Sequence, residues 1–183
     1  FAEFARSQQP LVFEMSDATN YVHTSPLGIV GLITPWNLPL YLLTWKVAPA
    51  LLMGNCIIAK PSEITPLTAN LLARTMQKLQ LPDGVFNLVH GLGPEVGQAI
   101  LEHPDIGGIS FTGGTSTGRI VARTAAPLFK KLSLELGGKN ATIILDDANL
   151  ETVVAGAVRA AFTNSGQVCL CGSRILIHQS IYD

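Results

Sequence analysis

The stretch GIVGLITPWNLPLYLLTWKVAPALLMGNCIIAK (residues 28–60) reads as strand, helix, strand. Its ends, GIVGLIT (28–34) and CIIAK (56–60), are short β-branched and apolar runs, and the apolar segment 38–53 between them is long enough for a buried crossover helix. Two strands joined through a helix pair in parallel. Working outward, the same alternation continues. VFNLV (85–89), GISF (108–111), LSLEL (132–136) and ATIIL (141–145) read as strands, with helical patterns at about 66–79, 95–102, 116–125 and 150–163. Thr65 before Pro66 reads as an N-cap followed by the first helical residue, and Asn164-Ser165-Gly166 as a helix stop. The pattern predicts an α/β fold built on a mostly parallel sheet. Residues 1–25 alternate less clearly and are expected to form a ribbon or linker leaving the domain; RILIH (174–178) starts one more strand.

Bulk composition excludes several classes. A net charge of −1 gives no reason to expect nucleic acid or a membrane surface as partner. The longest apolar segment holds Pro39, Lys46 and Pro49 and falls short of the ~20 residues of a membrane span. No secretory signal pattern is visible. Three cysteines, Cys56, Cys169 and Cys171, make an odd count without a disulfide framework, which favours a reducing, cytoplasmic setting. The Cys169/Cys171 pair lacks two further ligands at zinc spacing, so no metal site is expected. Charged residues are 14% of the chain, against about 25% in typical soluble domains. From composition alone, that scarcity predicts a well-buried α/β sheet.

Several motifs carry chemistry. Cys169, in GQVCLC (166–171), follows Glu135, in ELGGK (135–139), and the two glycine-flanked turns suit a thiol nucleophile and its base. Glu135 shares a strand face with Ser133 and Lys131, opposite Leu132, Leu134 and Leu136; partial burial there would raise its pKa and suit a general base. The bare alternative is a strand-end carboxylate paired with Lys131 or Lys139. KPSE (60–63) places Lys60 and Glu63 at the carboxyl end of a strand, where open sheets bind nucleotides, although the same residues also fit a solvated helix cap. FTGGTSTG (111–118) turns from strand to helix, and its glycines let backbone N–H groups approach a phosphate. A second cluster, 91–97, has the spacing GxGxxxG, one residue too long for a dinucleotide fingerprint, and otherwise reads as a tight turn. Cys56, inside CIIAK, reads as core.

TPWN, KPSE, FTGGTSTG, ELGGK and GQVC occur in the order and spacing of the aldehyde dehydrogenases, and nearly the whole chain resembles the NAD-binding core of that family. The resemblance implies a Rossmann-like open sheet with helices on both faces, an NAD-binding domain at 26–163, and a cysteine loop opening an incomplete catalytic domain at 164–183. It implies Cys169 as nucleophile, Glu135 as base, Asn37 as oxyanion donor and Lys46 near the active site. On sequence alone Lys46 also fits a snorkelling lysine. Cofactor contacts implied are Thr34, Pro35 and Trp36; Lys60, Ser62 and Glu63; Gly93; Phe111, Thr112, Gly113, Gly114, Thr115 and Gly118; and Leu136 with Gly137. The Glu63 carboxylate would hold the ribose hydroxyls and repel a 2′-phosphate, favouring NAD over NADP. The family usually carries serine where Gly114 stands, so backbone would bear more of the pyrophosphate binding. The partners implied are a small aldehyde and, for the full-length parent, further copies in a dimer or tetramer.

Within the family, NLPLYLLTWK (37–46), KKLSLELGGKN (130–140) and VCLCGSRI (168–175) are most similar to the 2-aminomuconate and hydroxymuconate semialdehyde dehydrogenases. The chain corresponds to the middle third or so of a family member. Two alternatives stay open: a non-catalytic nucleotide-binding module, and acyl transfer to CoA, against which Glu135 as a hydrolytic base argues.

Overall fold

The computed structural model describes residues 2–7 and 11–182. The chain forms two compact units, residues 1–135 and residues 136–183. The first unit begins with a short helix, α1 (Ala2–Ser7), and an antiparallel ribbon of β1 (Leu11–Glu14) and β2 (Thr19–Val22). All eight ribbon residues are exposed, Leu11, Val12, Phe13, Tyr21 and Val22 among them.

From Ile29 the alternation expected from the sequence is realised: β3 (Ile29–Ile33), α2 (Pro39–Leu52), β4 (Cys56–Lys60), α3 (Leu67–Lys78), β5 (Phe86–Leu88), α4 (Gln98–Glu102), β6 (Ile106–Gly113), α5 (Thr115–Ala125) and β7 (Lys131–Leu136). The strand order is β5-β4-β3-β6-β7, and β3 pairs in parallel with both β4 and β6. Because strand side chains alternate, β3 sends Val30 and Leu32 to one face. There they pack with Leu43 and Val47 of α2, Ile57 and Ala59 of β4, and Ala69 of α3. Gly31 faces the other layer, where Ile100 of α4 and Ile109 of β6 leave no room for a Cβ.

Some local expectations needed correction. The 38–53 helix is buried on one face only: Leu43, Lys46 and Val47 point inward, while Tyr41 and Trp45 are exposed. Thr65 does not cap α3. Pro66 occupies the cap position without a side-chain bond, and Thr65 Oγ1 is buried with no hydrogen-bond partner among the described residues. The glycine cluster is no tight turn either. Gly93–Gly97 forms a wide π-helical turn that runs into α4, so the regular helix starts at Gln98 rather than Glu95. Cys56 is only half-buried, since it sits at the first position of β4.

The second unit holds β8 (Ala141–Ile144), α6 (Leu150–Phe162) and β9 (Arg174–Ile177), with β8 and β9 parallel and Ala141 opposite Arg174. Asn149 caps α6 by accepting from the Thr152 N–H. The helix stops where expected, because Asn164, Ser165 and Gly166 all take positive φ.

Two glycines test this packing in opposite directions. In Gly31→Ala the new Cβ would sit 2.4 Å from Ile100 Cγ2, a branch that cannot swing clear, and the variant should lose about 1–3 kcal/mol in a urea denaturation midpoint analysis. Gly156, inside α6 with open space around its Cα, should gain about 0.5–1 kcal/mol as Gly156→Ala.

Candidate functional site

The register between β3 and β6 places most of the candidate residues. Ile33 lies opposite Phe111, and at this pair the strand order reverses: the chain builds β4 and β5 on one side of β3, then returns to build β6 and β7 on the other. Such a reversal opens a crevice beyond the carboxyl ends of the strands. Thr34, Pro35, Trp36 and Asn37 leave β3 at this edge; Lys60, Ser62 and Glu63 end and leave β4; Phe111, Thr112, Gly113, Gly114 and Thr115 lead β6 into α5. A cavity of about 380 Å³ lies here, walled by Ile33, Gly93, Phe111, Ile120 and Val121 with the carboxylate of Glu63 at its rim.

The polar groups of this edge are specific. Lys60 is 3% exposed, not a solvated cap; its Nζ donates to Pro61 O at 3.1 Å and reaches Glu63 Oε2 at 3.4 Å. Glu63 is half in solvent, and its carboxyl is held below the usual range, first by its own backbone N–H and then by the Lys60 ammonium. Ser62 is buried, its carbonyl accepting from the Thr65 N–H. Thr34 donates its N–H to Lys60 O at 3.1 Å, yet its buried Oγ1 has no hydrogen-bond partner among the described residues. α5 starts at Gly114 without a side-chain cap, and the Gly118 N–H donates to Gly114 O. A Cβ at Gly113 would lie 2.5 Å from the buried Phe111 ring, which would have to shift to admit it. An eleven-residue helix with no side-chain cap at Gly114 turns its positive end toward this crevice, where an anion would be favoured.

A second cavity, of about 340 Å³, lies on the opposite face between α2, β6 and β7. Lys46, Ser110, Lys131, Ser133 and Glu135 are its polar and charged residues on those elements, beside Trp45 and Leu32. Lys46 is buried, and its Nζ donates to Ser110 Oγ at 2.8 Å. Burial lowers its pKa from 10.5 to about 8, partly opposed by the negative charge of Glu135. Glu135 itself is exposed, so the burial expected of it is not found, and Leu132 on the opposite strand face is exposed as well.

In the second unit Leu136 is half-buried and Gly137 exposed. The loop between α6 and β9 carries an exposed Cys169 and a buried Cys171, whose Sγ donates to Thr163 O at 3.7 Å. Asn140 donates through Nδ2 to the carbonyl of Cys169 at 2.6 Å. Sequence reasoning missed both Ser110 and Asn140. Ser110 was legible from the alternation in GISF, which must send it and Phe111 to opposite faces; Asn140 required the β8–β9 register.

The profile described as Aldehyde dehydrogenase family matches residues 1–183. A 2-aminomuconic 6-semialdehyde dehydrogenase of a Pseudomonas species is 55% identical over 167 residues, covering 91% of this chain and 34% of that protein. The human 2-aminomuconic semialdehyde dehydrogenase is 53% identical over 163 residues, 89% of this chain and 34% of its own. The NAD+ complex structure of an aldehyde dehydrogenase from Bacillus cereus superposes with a TM-score of 0.94 at 41% identity, over 99% of this chain and 37% of that one. The chain thus spans about a third of the length of the curated relatives it matches.

Lys46 yields a pH prediction. Its folded pKa is near 8 and its ordinary value 10.5, so between these the unfolded chain binds more protons and stability attributable to this group rises with pH. Lys46→Met should therefore stabilise the protein at pH 7, by on the order of 1 kcal/mol after solvent screening, and the gain should fade between pH 8 and 10.5. Thermal melts of both proteins across that window check it.

Proposed function

The chain belongs to the aldehyde dehydrogenase family, and on that premise we propose that the protein containing it oxidises an aldehyde to a carboxylic acid with NAD, the substrate being a semialdehyde of the 2-aminomuconate type. The observation that carries the cofactor half is the crevice at the β3/β6 reversal, where Glu63, Gly93 and Phe111 line one cavity and Thr34 and the start of α5, which has no side-chain cap, leave the same strand ends. These groups fit a dinucleotide: Glu63 would accept the ribose hydroxyls, the apolar walls would take the adenine, and backbone N–H groups at the β6–α5 turn would meet the pyrophosphate. Gly93 and Phe111 line that crevice, while Thr34, Pro35, Trp36, Lys60, Ser62, Thr112, Gly118, Leu136 and Gly137 are assigned to the cofactor through the family resemblance. When bound, NAD supplies the hydride acceptor, a capacity no side chain has.

The rest of the chemistry falls to the chain's own residues. Cys169, the exposed thiol, attacks the aldehyde carbon as thiolate, forming a C–S bond and a thiohemiacetal oxyanion. By the family resemblance, the oxygen would be stabilised by the Asn37 amide and the Cys169 N–H. Loss of the aldehyde hydrogen as hydride leaves a thioester on Cys169. Glu135 then takes a proton from water, hydroxide adds to the thioester carbon, and the C–S bond breaks to release the acid and regenerate the thiolate. Lys46 keeps a positive charge within reach of Glu135. The assignment to semialdehydes rests on the identity to relatives that carry those names, and a homo-oligomeric, cytoplasmic enzyme is the form we expect.

Calorimetry with NAD, followed by NADH absorbance on adding 2-aminomuconate semialdehyde, tests the reading in the full-length protein. Binding without turnover would reduce it to a nucleotide-binding module; CoA-dependent turnover would favour acyl transfer. Cys169→Ala should abolish turnover while leaving NAD affinity within about twofold, and unchanged turnover removes it as nucleophile. Glu63→Gln should narrow the preference for NAD over NADP by about tenfold, measured as the ratio of kcat/KM values.

A further inference from the structure

The parallel pairing of β8 and β9 brings together two segments far apart in sequence. Ala141 is opposite Arg174, so the residues entering both strands lie at the same end of this small sheet. The chain entering β9 is the loop that carries Cys169. The residue entering β8 is Asn140, and it spans the gap: its Nδ2 donates to the carbonyl of Cys169 at 2.6 Å and, at 3.5 Å, to that of Cys171. Its own carbonyl accepts from the Arg174 N–H at 3.1 Å. Arg174 in turn donates through Nε and Nη2 to Lys139 O, at 3.0 and 2.7 Å.

These bonds act on the nucleophile's own main chain. Behind Cys169 the loop is anchored by Gly172, whose N–H donates to Ala160 O and whose Cα lies too close to Thr142 Oγ1 for any side chain. Ahead of it, Asn164, Ser165 and Gly166 turn through positive φ. Cys169 sits between these fixed points, and a carbonyl held by a side-chain amide leaves its peptide plane little freedom to rotate. A small misplacement of a reacting atom costs up to about a hundredfold in rate. Asparagine suits this position because its amide is a donor on a short stem, whereas aspartate would aim an acceptor at two carbonyls.

We propose that Asn140 is a positioning residue for Cys169, fixing the carbonyl of the nucleophilic residue and with it the aim of the thiol; this rests on the reading of Cys169 as nucleophile. The experiment uses the full-length protein, with wild type, Asn140→Ala and Asn140→Ser compared. Three measurements are taken: steady-state aldehyde oxidation, acylation of Cys169 by p-nitrophenyl acetate read by mass spectrometry, and alkylation of the buried Cys171 by iodoacetamide. Asn140→Ala should lower both kcat and the acylation rate about 10- to 100-fold, with KM for NAD changed less than about twofold and Cys171 still protected. Asn140→Ser, which keeps a short donor, should recover most of the loss. Unchanged rates in Asn140→Ala overturn the proposal, and so does a loss accompanied by rapid alkylation of Cys171, which would mark loop unfolding. A wild type that neither oxidises aldehydes nor acylates at Cys169 instead overturns the functional reading and this inference with it.

Discussion

The parallel pairing of β3 with β6, strands 77 residues apart by their first positions (106 − 29), is the constraint on which the first unit depends. It makes the sheet reverse direction beside β3 and so creates the crevice. It also sets the faces. With Leu32 opposite Ser110 and Ile33 opposite Phe111, consecutive residues of β6 serve different cavities: Phe111 walls the one bordered by Glu63, and Ser110 holds Lys46 in the other. A slip of one residue would exchange them. The close fit is enforced by glycines at the same level. Gly31 lies against Ile100, and Gly108, opposite Val30, lies against Leu27 Cδ1 at 2.9 Å from where a Cβ would be.

Three lysines are buried in this unit, and their partners separate structural from chemical roles. Lys130 donates to the carbonyls of His103 and Ile106, tying the end of α4 to the start of β6, and burial lowers its pKa. Lys60 has a carbonyl and a carboxylate, the latter a counter-charge at 3.4 Å. Lys46 has a neutral hydroxyl and a carboxylate beyond hydrogen-bond reach, the weakest compensation of the three. A buried ammonium so thinly supported titrates near pH 8, within reach of working conditions. The poor solvation that makes Lys46 costly to fold is the same property that lets its charge respond to its surroundings.

The fold was legible because its signals are local. Short β-branched runs separated by helix-length segments leave few alternatives to a parallel sheet, and positive-φ residues such as Asn164 and Gly166 announce helix ends. Where the sequence misled, a nonlocal or subtle backbone effect decided. Thr65 looks like a cap, yet the chain bends one residue later and leaves its hydroxyl buried and unused. The glycines of 91–97 suggested a tight turn, but Gly91 at φ +148° packs against Val96 and the segment widens into a π turn. The motif residues could be named from the resemblance; the residues that support them could not. Ser110 and Asn140 belong to no motif, and only pairing partners distant in sequence give them their roles.

The second unit shows why such supports matter. Of its hydrophobic residues, Ile144, Ala157 and Cys171 are the buried ones among those described, while Val154, Val158 and Phe162 form an exposed stripe along α6. A segment of 48 residues (183 − 135) with so small a core gains little rigidity from packing. Its cysteine loop is instead held by directional bonds: Asn140 to the Cys169 carbonyl, Arg174 to Lys139, Gly172 to Ala160. Hydrogen bonds contribute only about 1 kcal/mol each in net stability, but their geometry is narrow. They can therefore fix the direction of a thiol where apolar contacts, which are indifferent to angle, would let it wander. For the thiol proposed as nucleophile, on a glycine-bounded loop, that directional control counts for more than the stability it adds.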